Sequence, residues 1–231
     1  RFIKRAPLKR QELWKKLDVE PRGIDREVTE AMHRTHMGCD QDYKDLLQHG
    51  TRTSLADGWG GSMIATDLQD ILFGTPSPAV SEINLGVLKK DEVNLIIHGH
   101  EPYLAEMIAV VSQEPEMIEL AKSKGANGIN IAGMCCTANE ILMRHGIPIA
   151  GNFLQQELAI VTGALDAMVV DVQCIMQGLT EAAACYHTKL ITMDRRVKIE
   201  GAMHIEFDEH NAAESARTIL RTAIENFVNR G

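Results

Sequence analysis

Three apolar runs of strand length, at residues 93–97, 129–133 and 168–172, alternate with segments of helical periodicity, and this alternation narrows the folds open to the chain. Strands joined by helix-length connections form βαβ units, which assemble into a mostly parallel sheet with helices on its faces. The fold class is therefore α/β, a Rossmann-like, mostly parallel sheet with flanking helices. Helices are predicted over 102–113, 114–124, 138–145, 155–162, 181–185 and 212–228, and further short strands over 147–150, 189–192 and 204–207. Residues 1–88 have a different texture and read as a helical segment, the end of a larger helical domain, with a glycine-rich turn at 57–62. The domain boundary is expected between 79 and 91, giving a helical part, 1–88, and a Rossmann-like part, 89–231.

Metal-binding side chains stand just past each of the three runs. His98-Gly99-His100 follows the first, Met134-Cys135-Cys136 the second and Gln173-Cys174 the third. In an open parallel sheet the carboxyl ends of neighbouring strands converge on one crevice. His100 and Cys136 are 36 residues apart, and Cys136 and Cys174 are 38 apart, intervals that fit one or two crossovers. An imidazole and thiolates gathered there form a soft, sulfur-rich metal site. Each residue also has a plainer reading. A free cysteine often simply packs, which is the reading Cys174 receives when taken alone. His98 suits a hydrogen-bonded residue at the Gly99 turn, and Cys135 is expected to face away from Cys136. Cys39 and Cys185 read as structural, and His33 with His36 as a polar helix face. The segment Gly58-Trp59-Gly60-Gly61-Ser62 lacks both the Walker lysine and the dinucleotide spacing.

Composition excludes other classes. A formal charge of −8, a pI near 5.6 and no basic stripe argue against nucleic-acid binding. No apolar stretch approaches the ~20 residues of a membrane-spanning helix. Five cysteines, two of them adjacent, make a poor disulfide framework and favour a reducing cytoplasm. A first residue other than methionine, and an end directly after an amphipathic segment, suggest a piece of a longer protein.

The segments HGHEP (98–102), GINIAGMCCTANEILMRHGIP (128–148), GNFLQQELAIVTGALDAMVVDVQCIMQ (151–177) and LADGWGGSMIATDLQDILFGTPSP (55–78) closely resemble the catalytic subunit of nickel–iron carbon monoxide dehydrogenases, in the form that partners acetyl-CoA synthase. The resemblance implies reversible conversion of CO and water to CO2, two protons and two electrons. It implies a Ni–Fe–S cluster of the NiFe4S4 type, a NiFe3S4 core joined to an outlying iron. By motif, His100 and Cys136 match the catalytic ligands of the outlying iron, and Cys174 matches a ligand of a core iron. His98 and Cys135 flank them. Further cysteine ligands would come from a later domain, and further 4Fe-4S clusters would be held outside this segment. A ferredoxin-like electron carrier, an acetyl-CoA synthase subunit and a homodimeric partner are also implied. The segment alone is expected to oxidise no CO. The alternatives are a truncated, non-catalytic subunit with a structural or partner-binding role, and a generic α/β small-molecule binder.

Overall fold

The computed structural model describes residues 3–172 and 174–230. Arg1, Phe2, Gly231 and the Gln173 of the third strand-end motif lie outside the described residues. Two compact units are present, Arg1–Thr75 and Pro76–Gly231.

The first unit is helical: α1 (Leu8–Lys16), α2 (Ile24–Arg34), α3 (Tyr43–Ala56) and α4 (Ser62–Phe73). Asp42 starts α3 by accepting the Lys44 N–H at 3.0 Å, which satisfies one of the helix's free amides. The glycine-rich segment expected to be a turn is instead a π-helical stretch, Asp57–Gly61, that carries α3 directly into α4. Its backbone bonds continue the helix, so the glycines mark a local widening rather than a break. Ala6, Trp14 and Val19 form a small core with Leu55 and Trp59, and the two indole rings sit 5.9 Å apart.

One carboxylate is buried in this unit. Glu27 is fully enclosed and accepts the Arg22 Nε–H at 2.9 Å, its Nη2–H at 2.8 Å and its backbone N–H at 2.9 Å. The Arg22 fork holds the Glu27 carboxyl down at about 2, against an ordinary 4.5. A folded-state pKa below the unfolded one gives stability that is complete above pH 4.5 and is lost as pH falls toward 2. Glu27→Gln is expected to cost about 2 kcal/mol at neutral pH and to remove the acid sensitivity that arises in this window. Both tryptophans of the chain, Trp14 and Trp59, lie in this unit, so their fluorescence reports it alone. Superimposable acid titrations of the wild type and the variant between pH 5 and pH 2 would show the ion pair to be inert.

The second unit is a six-stranded, all-parallel sheet with helices on its faces. Its elements are β1 (Val93–His98), α5 (Pro102–Val111), α6 (Pro115–Ser123), β2 (Ile129–Met134), α7 (Cys136–Glu140), β3 (Ile149–Gly151), α8 (Gln156–Val161), β4 (Ala167–Val170), α9 (Leu179–Ala184), β5 (Lys189–Thr192), β6 (Met203–His204) and α10 (Ala212–Asn226). The strand order is β3-β2-β1-β4-β5-β6, the doubly wound arrangement whose order reverses between β1 and β4. β1 is buried along its whole length, as a central strand covered on both faces must be. On one face Ile96, Ala132, Met134, Met168 and Val170 pack with Ala159 and Ile160 of α8 and Leu179 of α9. On the other face α10 packs against α5 and α6.

Two differences from the sequence reading have physical causes. The last strand pairs only through Met203 and His204, opposite Ile191 and Thr192. Beyond them the Phe207 ring turns edge-on to Tyr103 at 5.7 Å. Residues 76–88, assigned from sequence to the helical part, group with the sheet, because Asn84 donates its N–H to Ile149 O (3.1 Å) and Asn130 Nδ2 donates to Val87 O (3.0 Å).

At the amino ends of the strands a polar network is sealed inside the fold. The fully buried Asp166 accepts the Asn94 N–H at 2.7 Å and His187 Nε2–H at 3.0 Å, and it pairs with Arg230. Arg230 also donates to the carbonyls of Lys90 at 2.6 Å and Glu92 at 3.0 Å.

Candidate metal centre

The strand register brings the candidate residues together. His98 lies level with Met134 on one side and with Val170 on the other. His100 and Cys136 therefore each stand two residues past the same line, and Cys174 stands four past it. The loops after β1 and β4 flank the point where the strand order reverses, and the loop after β2 adjoins them. All three candidates thus share the carboxyl rim, where an open α/β sheet presents its crevice.

Hydrogen bonds lock the loops to one another. Asp171 donates its N–H to His98 O at 3.2 Å, Thr137 donates its N–H to Gly99 O at 2.9 Å, and Cys135 donates its N–H to Gly151 O at 3.3 Å. Gly133 lets α7 sit directly on the end of β2. A Cβ at that position would lie 2.3 Å from Ala138 Cβ and 2.7 Å from its Cα. Cys136, the first residue of α7, is exposed, whereas its neighbour Cys135 is buried. Cys135 (φ 63°) and Cys174 (φ 55°) both adopt left-handed backbone, a cost of roughly 1–3 kcal/mol each that surrounding structure must hold in place.

The donor atoms have distinct environments. His100 Nδ1 is 3.0 Å from Val172 O, and a carbonyl only accepts, so Nδ1 carries the proton and Nε2 keeps its lone pair. This arrangement suits a metal-binding histidine, whose second nitrogen is tied to a carbonyl. His98 is buried, its Nε2 lies 3.1 Å from Gln156 Oε1, and its Nδ1 has no hydrogen-bond partner. Burial pushes the His98 pKa down, so the ring is neutral. Burial also raises the Cys135 thiol to about 11, with Cys174 and Cys136 adding to the shift. Cys136 is raised for the same reasons, burial first and then Cys174 and Glu140. The mutual effect of the three sulfurs places them in one neighbourhood, and a bound cation inverts such shifts by favouring the thiolates.

The residues fit a soft, multinuclear group better than a single ion. Among the described residues, the three-donor group within 4.8 Å is Glu27, Glu30 and His49 in the helical unit, not the rim set. That acidic group is already neutralised by Arg22, Arg34 and Arg52. The rim donors are one imidazole nitrogen and several sulfurs, the set preferred by iron–sulfur and nickel chemistry.

Three participants were not evident from sequence. Gln156 is fully buried: its Oε1 accepts the Met176 N–H at 3.2 Å, and its Nε2 donates to Phe153 O at 2.8 Å and Cys174 O at 3.4 Å. Asp171 anchors the β1 loop, as described below. Thr137 Oγ1 is buried without a hydrogen-bond partner beside Cys136. The one available signal was Asp171, a carboxylate inside an otherwise apolar run. Cys39 and Cys185, read as structural, are exposed, which removes the packing argument for them.

The chain is similar to known proteins along nearly its whole length. The sequence pattern of the Prismane/CO dehydrogenase family matches residues 1–231. Carbon monoxide dehydrogenase 1 of Methanosarcina mazei is 61% identical over 229 residues, covering 99% of this chain and 36% of the relative. The carbon monoxide dehydrogenase/acetyl-CoA synthase subunit beta of Moorella thermoacetica is 50% identical, covering 96% of this chain and 32% of its own length. A Ni-free crystal structure of carbon monoxide dehydrogenase from Thermococcus sp. AM4 superposes with a TM-score of 0.90 at 59% identity, over 97% of this chain and 36% of that one. The chain spans about a third of the length of these relatives.

Proposed function

This chain belongs to the Prismane/CO dehydrogenase family, and from that premise we propose that His100, Cys136 and Cys174 are its contribution to a Ni–Fe–S cluster of the NiFe4S4 type in a carbon monoxide dehydrogenase. The observation that carries the reading is the level register of His98, Met134 and Val170, which raises one imidazole and two thiols on a single rim at the reversal of strand order. When bound, the cluster supplies the redox capacity and Lewis acidity for interconverting CO and water with CO2, two protons and two electrons.

The chain's own residues orient and enclose. His100 offers Nε2 because Val172 O holds its Nδ1–H. Cys136 is held forward by the seating of α7 on Gly133. Gln156 steadies the Cys174 loop through the Cys174 carbonyl and the Met176 amide. His98 and Cys135 lie behind the ligands, and His98 is neutral and holds no charge against the metals. The reading extends to CO supply to an acetyl-CoA synthase subunit, a ferredoxin-like electron acceptor, further 4Fe-4S clusters and a homodimer. Support for the synthase partner is the relative whose name joins the two activities. No helix among the described residues is long and apolar enough to cross a membrane.

A second reading gives residues 1–231 a structural, partner-binding role without turnover. One experiment separates the two. A polypeptide of the relatives' full length carrying this segment is loaded anaerobically with iron, sulfide and nickel, and CO-dependent viologen reduction is measured. Turnover is expected from the long polypeptide and none from residues 1–231 alone. Cys174→Ser in the long form is expected to lose both cluster iron and turnover; full iron and full rate in that variant would remove Cys174 from the site.

A further inference from the structure

The carboxylate of Asp171 is wholly occupied by backbone. Its Oδ1 accepts the His100 N–H at 2.6 Å and the Val172 N–H, and its Oδ2 accepts the Glu101 N–H at 3.0 Å. The traffic runs both ways, since Asp171 N–H donates to His98 O and His100 Nδ1–H to Val172 O. Four hydrogen bonds therefore tie residues 98–101 to residues 171–172 across the reversal of strand order. The space for this carboxylate exists because residue 99 is glycine. Gly99 has φ 141°, and a Cβ there would lie 1.6 Å from Asp171 Oδ1.

We propose that Asp171 is a positioning residue that acts through His100: it clamps the backbone from which the imidazole hangs. The proposal rests on the metal-site reading above. Both oxygens are required. An asparagine offers one acceptor and turns its NH2 toward an amide N–H, so the grip opens while the shape is kept. A purely architectural Asp171 would stabilise the sheet without regard to His100. A positioning Asp171 is silent once His100 is gone.

The test has two arms. In the metal-free chain, long-range proton–nitrogen NMR of the imidazoles is expected to show His100 as the Nδ1–H tautomer, and Asp171→Asn to mix the tautomers while circular dichroism is unchanged. In the loaded full-length polypeptide, Mössbauer spectra of Asp171→Asn are expected to lose intensity from the histidine-bound iron with the other irons retained. The turnover number should fall ~10- to 100-fold, the usual penalty for losing a group that orients a ligand. His100→Ala combined with Asp171→Asn should be no worse than His100→Ala alone. Unchanged tautomer and spectrum in Asp171→Asn, or additive losses in the double variant, overturn the proposal. If Asp171→Asn does not accumulate as folded protein, Asp171→Ser carries the same expectations at the same readouts. A wild type that shows no cluster spectrum, with the tautomer shift intact, removes the metal-site reading and leaves the clamp standing.

Discussion

Replacing Asp166 with alanine is expected to destabilise the sheet unit by about 3–5 kcal/mol, the range for removing one partner of a buried ion pair. The residue is fully buried, and its removal leaves Arg230 without its carboxylate and the Asn94 amide and His187 Nε2 without an acceptor. Each unsatisfied buried donor adds a desolvation cost of its own, roughly 1–3 kcal/mol. Asp166→Asn should fall between wild type and alanine, since it keeps an acceptor and loses the charge opposite Arg230. Urea unfolding followed by far-ultraviolet circular dichroism measures the difference. Tryptophan fluorescence is blind to it, because both indoles belong to the other unit. A loss under ~1 kcal/mol, the worth of an exposed pair, would mean that water or a rearranged Arg230 replaces the carboxylate.

The second large effect is on the site rather than on stability. Gly133→Ala puts a methyl 2.3 Å from Ala138 Cβ and 2.7 Å from Ala138 Cα, and backbone at that distance cannot yield locally. α7 must lift from β2 and carry Cys136 with it. Overpacking of this kind costs about 1–3 kcal/mol, which leaves the sheet unit folded. A displacement near 1 Å at a ligand is expected to lower CO-oxidation turnover about 100-fold in the full-length, metal-loaded polypeptide. The thermal midpoint should move by only a few degrees. The measurement pairs turnover with thermal unfolding. If both fall together to the same small extent, Cys136 has not moved and the close seating of α7 has no bearing on the site.

The parts that could be read from the sequence share a cause. β1, β2 and β4 are central strands, so burial forces them to be largely apolar and their ends are visible as the points where His98, Cys135 and Asp171 interrupt the run. The shared rim followed from parallel topology alone. The strand order did not, because it depends on which helix covers which face, information spread across α5, α8 and α10. Gln156 was hidden for another reason. A glutamine in the first turn of a helix normally faces solvent, and nothing local marks this one as buried behind Cys174. The left-handed backbone at Cys135 and Cys174 left no trace either, since cysteine is not a residue that advertises positive φ. β6 was overdrawn because β5, its neighbour, ends at Thr192: Ile205 still donates its N–H to Thr192 O, and Phe207 donates its N–H to Met193 O beyond the end of β5.

The level register of β1, β2 and β4 also decides which changes of length this architecture tolerates. A residue inserted in the α5–α6 crossover is absorbed in a surface turn, and the strand that follows still delivers its donor to the rim. The same residue inserted inside a strand turns everything downstream to the opposite face, because successive side chains alternate across a sheet. Indels in a lineage of such chains are therefore free to accumulate in the crossovers and at the amino-terminal edge of the sheet, while the strands keep a constant length.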